Sequence, residues 1–538
     1  MDIDRPSLSA LPDEVLLEIL YYIPPESALA LKRTSKRFLL ITDEDLLWRY
    51  HCCTHFRYWS PRHNIARKLA APASHADWKQ LFIDRKAAHR SMQPKMDDIL
   101  ATQYRRIQKM EEMADEGFDA KEALIEQYCC PDDAEDVLAR RFYSEAVLSS
   151  IYRRQAIEIW TKLQRNEDVP LEDGLACFDL FVVGPRGGDL AETKETLDKL
   201  AAQAREENPD LERMTPREQA CALVLFVRKH NLTGISNSEN YHNIKHTFLG
   251  IALRDPQHQS LPLISVAIYC CIAQRLGINA HPCAFPMHVY AVVLPPADMT
   301  LDGVPKSMQA QSNDMTDVMY VDPFRSDFET PPENLRAVLR HMGLGQDNFE
   351  EYMGPASVKE MVSRTARNLT TAIDTQQESL PFPDTEDAFY SMIWALILMA
   401  PLGPGGHLNF RQRQLIPHLT RQFEAHFPWD CALIEQYILP ISIETDADGQ
   451  QLLATVRAIR ARDSQRPRHP RRPHDTEDNG NMPDPKYFVG QLFQHKRYRY
   501  EGIIIGWDRR CEMSEEWISS MRVSQLVQGR RQSFYHIM

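Results

Sequence analysis

The stretch that most constrains this chain is RPRHPRRPHDTEDNGNMPDP, from Arg466 to Pro485. Prolines there remove backbone donors, clustered arginines repel one another, and the acids and glycine that follow offer nothing to bury. Such a run cannot build a core and reads as a linker. A 538-residue chain broken in this way is expected to fold as several bodies, and its length allows two to four domains with ordinary cores. Before the break the patterning is helical and then mixed α/β; after it the pattern turns to strand-like alternation.

The balance of 43% apolar and 25% charged residues is that of a globular protein. A formal charge of −13 argues against tight, sequence-independent nucleic-acid binding by the whole chain, while leaving room for a local basic module. No run approaches the ~18–20 apolar residues of a membrane helix, so no membrane partner is expected. The start, MDIDRPSLSALPDEV, has no apolar h-region and is not read as a signal peptide. Eleven cysteines include three adjacent pairs and no C-x-x-C. That spacing suits neither a disulfide framework nor a zinc ribbon, and a reducing cytoplasmic or nuclear compartment follows. His281, Cys283 and His288 lack a fourth ligand at matching spacing, so no metal and no cofactor are expected.

Residues 8–55 read as short helices. Leu11-Pro12 opens the first, with apolar Leu11, Val15, Leu16, Ile19, Leu20 and Ile23, and Pro24-Pro25 stops it. Ser27 caps a second helix carrying Leu29, Leu31 and Phe38, and Trp48 anchors a third element. Fewer than about fifty residues make a thin core, so a partner should cover part of the apolar face; an ordinary three-helix bundle is the plainer alternative. The string LPDEVLLEILYYIPPESALALKRTSKRFLLITDEDLLWRYHC resembles an F-box. In that family the helices dock on a Skp-type adaptor, which tethers a cullin and a ubiquitin-conjugating enzyme. The resemblance implies adaptor contacts through Leu11, Pro12, Val15, Ile19, Leu20, Leu29 and Trp48.

Residues 56–196 read as a helical connector. From Val137 to Trp160 the apolar Leu138, Phe142, Val147, Leu148, Ile151, Ile157 and Trp160 recur mostly at three- and four-residue steps, as on a core-facing helix. Its expected role is spacing.

Residues 197–445 form the mixed segment. REQACALVLFVRKH reads as a helix ended by Asn231 and Gly234, and LPLISVAIYCCIAQRLG as a fully buried helix closed by Gly277. Two strand-like runs follow, AHPCAFPMHVYAVVLPP with His288 and DVMYVDPF with Asp322. These parts, with Gly234, Tyr241 and the later EMVSRTARNL, resemble the transglutaminase-like, papain-related fold in its SirB-type branch. In active relatives a cysteine at the start of the buried helix is the nucleophile, with His as base and Asp orienting it. Here the helix opens on Leu263, Ile264 and Ser265, and Cys270 and Cys271 lie one to two turns further on. Ser265, His288 and Asp322 are therefore read as vestigial, in a pseudo-enzyme cleft reused for binding.

Residues 446–485 read as a helix and linker, and 486–538 as a last module. There the aromatic and basic residues interleave: His495, Arg497, Tyr498, Arg499, Tyr500, Trp507 and Trp517 are candidate contacts for nucleic acid or a client protein. F-V-G-Q-x-x-x-H-x-x-Y-x-Y-x-G-I-I-x-G-W-D followed by EEW and Q-x-F-Y-H resembles the YccV/HspQ family, a small β-barrel described as binding hemimethylated DNA, some of whose members act with a protease. The motif breaks off at FYHIM, so the barrel is expected to be incomplete.

The expected protein is thus multidomain α+β: an all-α F-box and connector, a central transglutaminase-like α+β domain, and a small terminal β-barrel. The resemblances together imply a non-catalytic substrate-recognition subunit of a Skp–cullin–F-box ubiquitin ligase, holding an unidentified protein substrate. DNA binding through the last module, or residual transglutaminase- or protease-like hydrolysis, are the alternatives.

Overall fold

The computed structural model describes residues 11–538 apart from 135, 183, 185–186, 238–240, 284, 307–316, 346–348, 376–381, 383, 443–446, 467–484, 489, 509 and 512. The stretch expected as a linker thus lies almost wholly outside the described residues. The described residues are mostly helical, with two small antiparallel sheets among them. One contains β1 (Ala280–Pro282), β2 (Ala291–Val293), β3 (Met319–Val321) and β4 (Glu329–Thr330); the other contains β5 (Leu492–Gln494), β6 (Glu501–Asp508) and β7 (Phe534–Ile537). Among the described residues no helix is long and apolar enough to cross a membrane.

The chain forms two compact units, Met1–Ile151 with Arg460–Met538, and Tyr152–Ile459. These do not follow the composition breaks. The divisions fall inside the helices Val137–Gln164 and Ala447–Gln465, and a continuous helix carries no turn signal to mark where its contacts change.

In the first unit, α1 (Asp13–Tyr22), α2 (Pro25–Leu31), α3 (Lys36–Ile41) and α4 (Asp45–His55) enclose Leu16, Leu20, Ala28, Phe38, Ile41 and Leu47. Arg37 of α3 holds the start of α1, donating to Asp13 at 2.6 Å and to the Leu11 carbonyl at 2.5 Å. The N-terminal helices do not stand alone. Trp48, Cys52 and Phe56 pack with Trp78, Leu81 and Phe82 of the 24-residue helix Trp78–Ala101. The buried Arg85 of that helix donates to Glu122 at 3.0 Å and to the Asp119 carbonyl at 2.6 Å, which compensates its charge.

The terminal sheet belongs to the same unit and rests on connector helices. Asp463 caps the helix Arg106–Ala114, accepting from the Ile107 and Gln108 amides at 3.1 and 3.2 Å. Arg106 donates to the Tyr143 hydroxyl at 2.7 Å and to the Ile505 carbonyl at 3.4 Å. Gly490, at φ +91°, approaches so closely that a Cβ would sit 3.2 Å from the Ala139 amide nitrogen. Both the backbone angle and the space require glycine there. The order is β5-β6-β7, with an irregularity between Ile504 and Gly506. In place of the expected barrel this is an open sheet, and no closed barrel occurs among the described residues. Three strands are too few to close.

In the second unit the helix Pro262–Arg275 is buried from Pro262 through Ala273, as its unbroken apolar run requires. Gly277 at φ +83° ends it. It backs the sheet β1-β2-β3-β4, whose members pair antiparallel. Helices Val358–Asp374 and Thr385–Met399 pack together. The buried ion pair of Arg153 with Asp430, at 2.7 and 3.0 Å, is bidentate.

Candidate functional site

The face of the N-terminal helices follows from two neighbouring rows on α1. Leu16 and Leu20 point inward at 2% exposure each, whereas Val15 at 43% and Tyr22 at 79% point outward with half-buried Ile19 between them. Glu14, Val15, Glu18, Ile19 and Tyr22 line a shallow open groove. Leu40 of α3 and Leu46 of α4 are also exposed, as is Tyr50, whose ring meets Tyr21 edge-on at 4.8 Å.

Two residues expected at the adaptor are placed elsewhere. Leu20 lies in the core, and Trp48 is fully buried with its Nε1–H donating to the Thr42 carbonyl at 2.7 Å. Leu11 and Leu29 are partly buried against the two apolar clusters, and Pro12 is exposed. Leu11, Val15, Leu16, Ile19, Leu20 and Ile23, expected on one face, fall on neighbouring rows, and rows one residue apart diverge by about 100° on a helix. Tyr22, Leu40 and Leu46 escaped it, although the three- and four-residue steps from Val15 through Ile19 to Tyr22 could have signalled the outer row.

In the second unit Ser265 is fully buried. Its Oγ lies 2.7 Å from the Ser260 hydroxyl, accepts from the Gly234 amide at 3.1 Å and reaches the Ser260 carbonyl at 3.2 Å. His288 Nε2 lies 2.8 Å from Asp322 Oδ2. Among the described residues no hydrogen bond joins Ser265 to His288. The structure therefore brings His288 and Asp322 together and leaves Ser265 knitted into a local backbone turn. His288 stands in the connection before β2 and Asp322 directly after β3, so neither is within a strand as the apolar runs suggested. Asp322 Oδ1 accepts from the Phe324 and Arg325 amides at 3.1 and 3.3 Å, which holds the following loop.

Burial pushes the thiols of Cys270 and Cys271 well up, which suits core residues and opposes thiolate chemistry. Cys283 is buried with its Sγ 3.3 Å from the Tyr352 carbonyl, and His281 pairs with Asn279 at 2.9 Å. Around His288 stand Tyr290, with ring centroids 4.8 Å apart, and Phe324 at 6.3 Å; Phe324 is also 6.3 Å from Tyr241.

The tip between β5 and β6 gathers His495, Lys496, Arg497, Tyr498, Arg499 and Tyr500. The His495 ring is stacked between Tyr498 at 5.0 Å and Tyr500 at 4.8 Å, and its Nδ1 accepts from the Arg497 and Tyr498 amides. Arg499 at φ +63° completes the turn. Lys496, Arg497 and Arg499 are exposed, and none forms an ion pair among the described residues. Trp507, expected at the same contact, is instead 1% exposed in the core of the sheet, and Trp517 packs half-buried on Cys511, Ile518 and Val523.

The chain carries three family domains. The F-box-like model matches residues 8–54, the Transglutaminase-like superfamily model residues 191–367, and the model described as Hemimethylated DNA-binding protein YccV like residues 485–538. Among curated proteins the chain is similar to F-box only protein 21 of Mus musculus, 22% identical over 335 residues, which is 60% of this chain and 47% of the relative. The Homo sapiens protein of that name is 23% identical over 313 residues, 56% of this chain and 44% of the relative. The Pongo abelii protein is 22% identical over 311 residues, with the same two shares. The chain thus spans about half the length of the curated relatives it matches. No solved structure matches it.

Proposed function

We propose that this chain is the substrate-recognition subunit of a Skp–cullin–F-box ubiquitin ligase, acting in the cytoplasm or nucleus. The outer row of α1 with Leu40 and Leu46 docks the Skp-type adaptor, and the central and terminal domains hold a protein client. The observation that carries this reading is the apolar surface left open on a segment that matches the F-box-like model. Large exposed side chains gathered on one small helical module favour a protein partner over solvent. Ubiquitin transfer then takes place on partner proteins, and the transglutaminase-like cleft binds without catalysing. Its Ser265 is buried and shares no hydrogen bond with His288, so base activation of that hydroxyl lacks its geometry.

The test is capture of a purified Skp-type adaptor by the full chain. Val15→Asp with Leu40→Asp should weaken capture at least about tenfold, as expected when charges enter the centre of a docking face. Failure of the unaltered chain to bind the adaptor overturns the reading. DNA binding is a second reading, favoured by the three exposed cations of the β5–β6 tip. It predicts salt-dependent DNA binding by the full chain that is lost when Arg497 and Arg499 become glutamine.

A further inference from the structure

His288 and Asp322 occupy each other, yet the groups around them are not used up. Asp322 gives Oδ2 to His288 and Oδ1 to two backbone amides. Beside this pair stand groups with open donors. Arg325 is exposed, its guanidinium carbon lies 5.9 Å from the Phe324 ring centroid, and among the described residues it has no carboxylate partner. The hydroxyls of Tyr241 and Tyr290 likewise have no hydrogen-bond partner among the described residues. Burial raises the pKa of both tyrosines, the Asp322 carboxylate adds to the rise at Tyr290, and the Arg325 charge opposes it in each. Apolar shoulders flank the cluster in the chain: Met287, 90% exposed at φ +65°, precedes His288, and Phe328 at 76% exposure ends the Arg325 loop.

We propose that Tyr241, His288, Tyr290, Phe324 and Arg325 form a receptor for a peptide carboxylate carried by the protein client, which rests on the receptor reading above. A guanidinium with two phenol donors matches a carboxylate in charge and in hydrogen-bond sense. An ammonium would instead meet the Arg325 cation and find both oxygens of Asp322 already engaged. The carboxylate could be a chain end or an Asp or Glu side chain, and Met287 and Phe328 would take the neighbouring apolar residues.

The test uses the full chain and saturation-transfer NMR with acetyl-Leu-Leu, its amide, and acetyl-Glu-Leu amide. Binding of the first assigns a chain end and binding of the third a side chain; either supports the pocket if Arg325→Gln weakens it about tenfold and Tyr290→Phe several-fold. Equal binding of all three, binding indifferent to Arg325→Gln, or no binding at all overturns it. Arg325 is exposed and Tyr290→Phe removes only a hydroxyl, so unchanged thermal unfolding should accompany both variants. Adaptor capture separates the two claims. A chain that captures adaptor but ignores the acids loses only this pocket, and one that binds acids without adaptor loses only the receptor role.

Discussion

Helix α1 and the helix Pro262–Arg275 are both apolar and both have a proline at their N-terminal boundary, yet they bury very different shares of themselves. The first turns two side chains, Leu16 and Leu20, fully inward and leaves Val15 and Tyr22 exposed. The second is buried continuously from Pro262 to Ala273. The difference is where polar residues fall. Glu14 and Glu18 interrupt α1 on its outer side, while the second helix has no charge before Arg275. An interrupted apolar helix can leave a face for a partner; an uninterrupted one must be covered by its own chain.

Three substitutions probe that contrast. Ile268→Asp puts an unpaired carboxylate into the fully buried helix and should cost about 4 kcal/mol or more, read as loss of the second unit's cooperative unfolding. A mild effect would break the contrast at its buried end. Leu16→Ala removes a core side chain of α1 and should cost roughly 2–4 kcal/mol in chemical denaturation of the first unit. Val15→Asp, one residue away, should change stability by less than about 0.5 kcal/mol while impairing adaptor capture. If it destabilises like Leu16→Ala, the outer row is covered by this chain itself.

Acid should act between these extremes. His51 is enclosed by Trp48, Tyr50, His55 and Phe82. Burial, with the nearby His55 charge, lowers its pKa from 6.5 to about 4. The unfolded chain therefore binds this proton more tightly than the folded one. The stabilisation is full above about pH 6.5 and is lost as pH falls toward 4, by roughly 3 kcal/mol. His51→Phe should flatten that slope in pH-dependent thermal unfolding of the first unit. Ser265→Ala should cost only about 1 kcal/mol for a lost buried hydroxyl bond, with no change in labelling by a serine-directed electrophile. Specific labelling that vanishes in Ser265→Ala would restore a nucleophile to the cleft.

Much of the fold was legible because short-range patterns dictate it. Pro24-Pro25 ends α1 and Gly277 ends the buried helix, each where the backbone demands it. The pairing of His288 with Asp322 is what the transglutaminase-like resemblance implies, although His288 stands in the connection before β2 and Asp322 directly after β3. Trp507 and Trp517 were harder. An aromatic among arginines looks the same in sequence whether it stacks on a ligand or fills a core, and only packing separates the exposed Tyr498 from the buried Trp507. The same holds for Leu20 and Trp48, whose composition suits either an interface or an interior.

By itself the sequence determined the order of the three motif-bearing segments, the buried helix with Ser265 in its first turn, and the basic aromatic tip His495–Tyr500. These depend on residue identity and near neighbours. Tertiary structure alone decided that the terminal sheet joins the N-terminal unit, with Asp463 capping a distant helix and Gly490 pressed against Ala139. It also decided which row of α1 faces out and that Tyr241, His288 and Arg325 meet at the Phe324 ring. Contacts between residues hundreds of positions apart leave no periodic trace in the chain, because shape complementarity and not local propensity selects them.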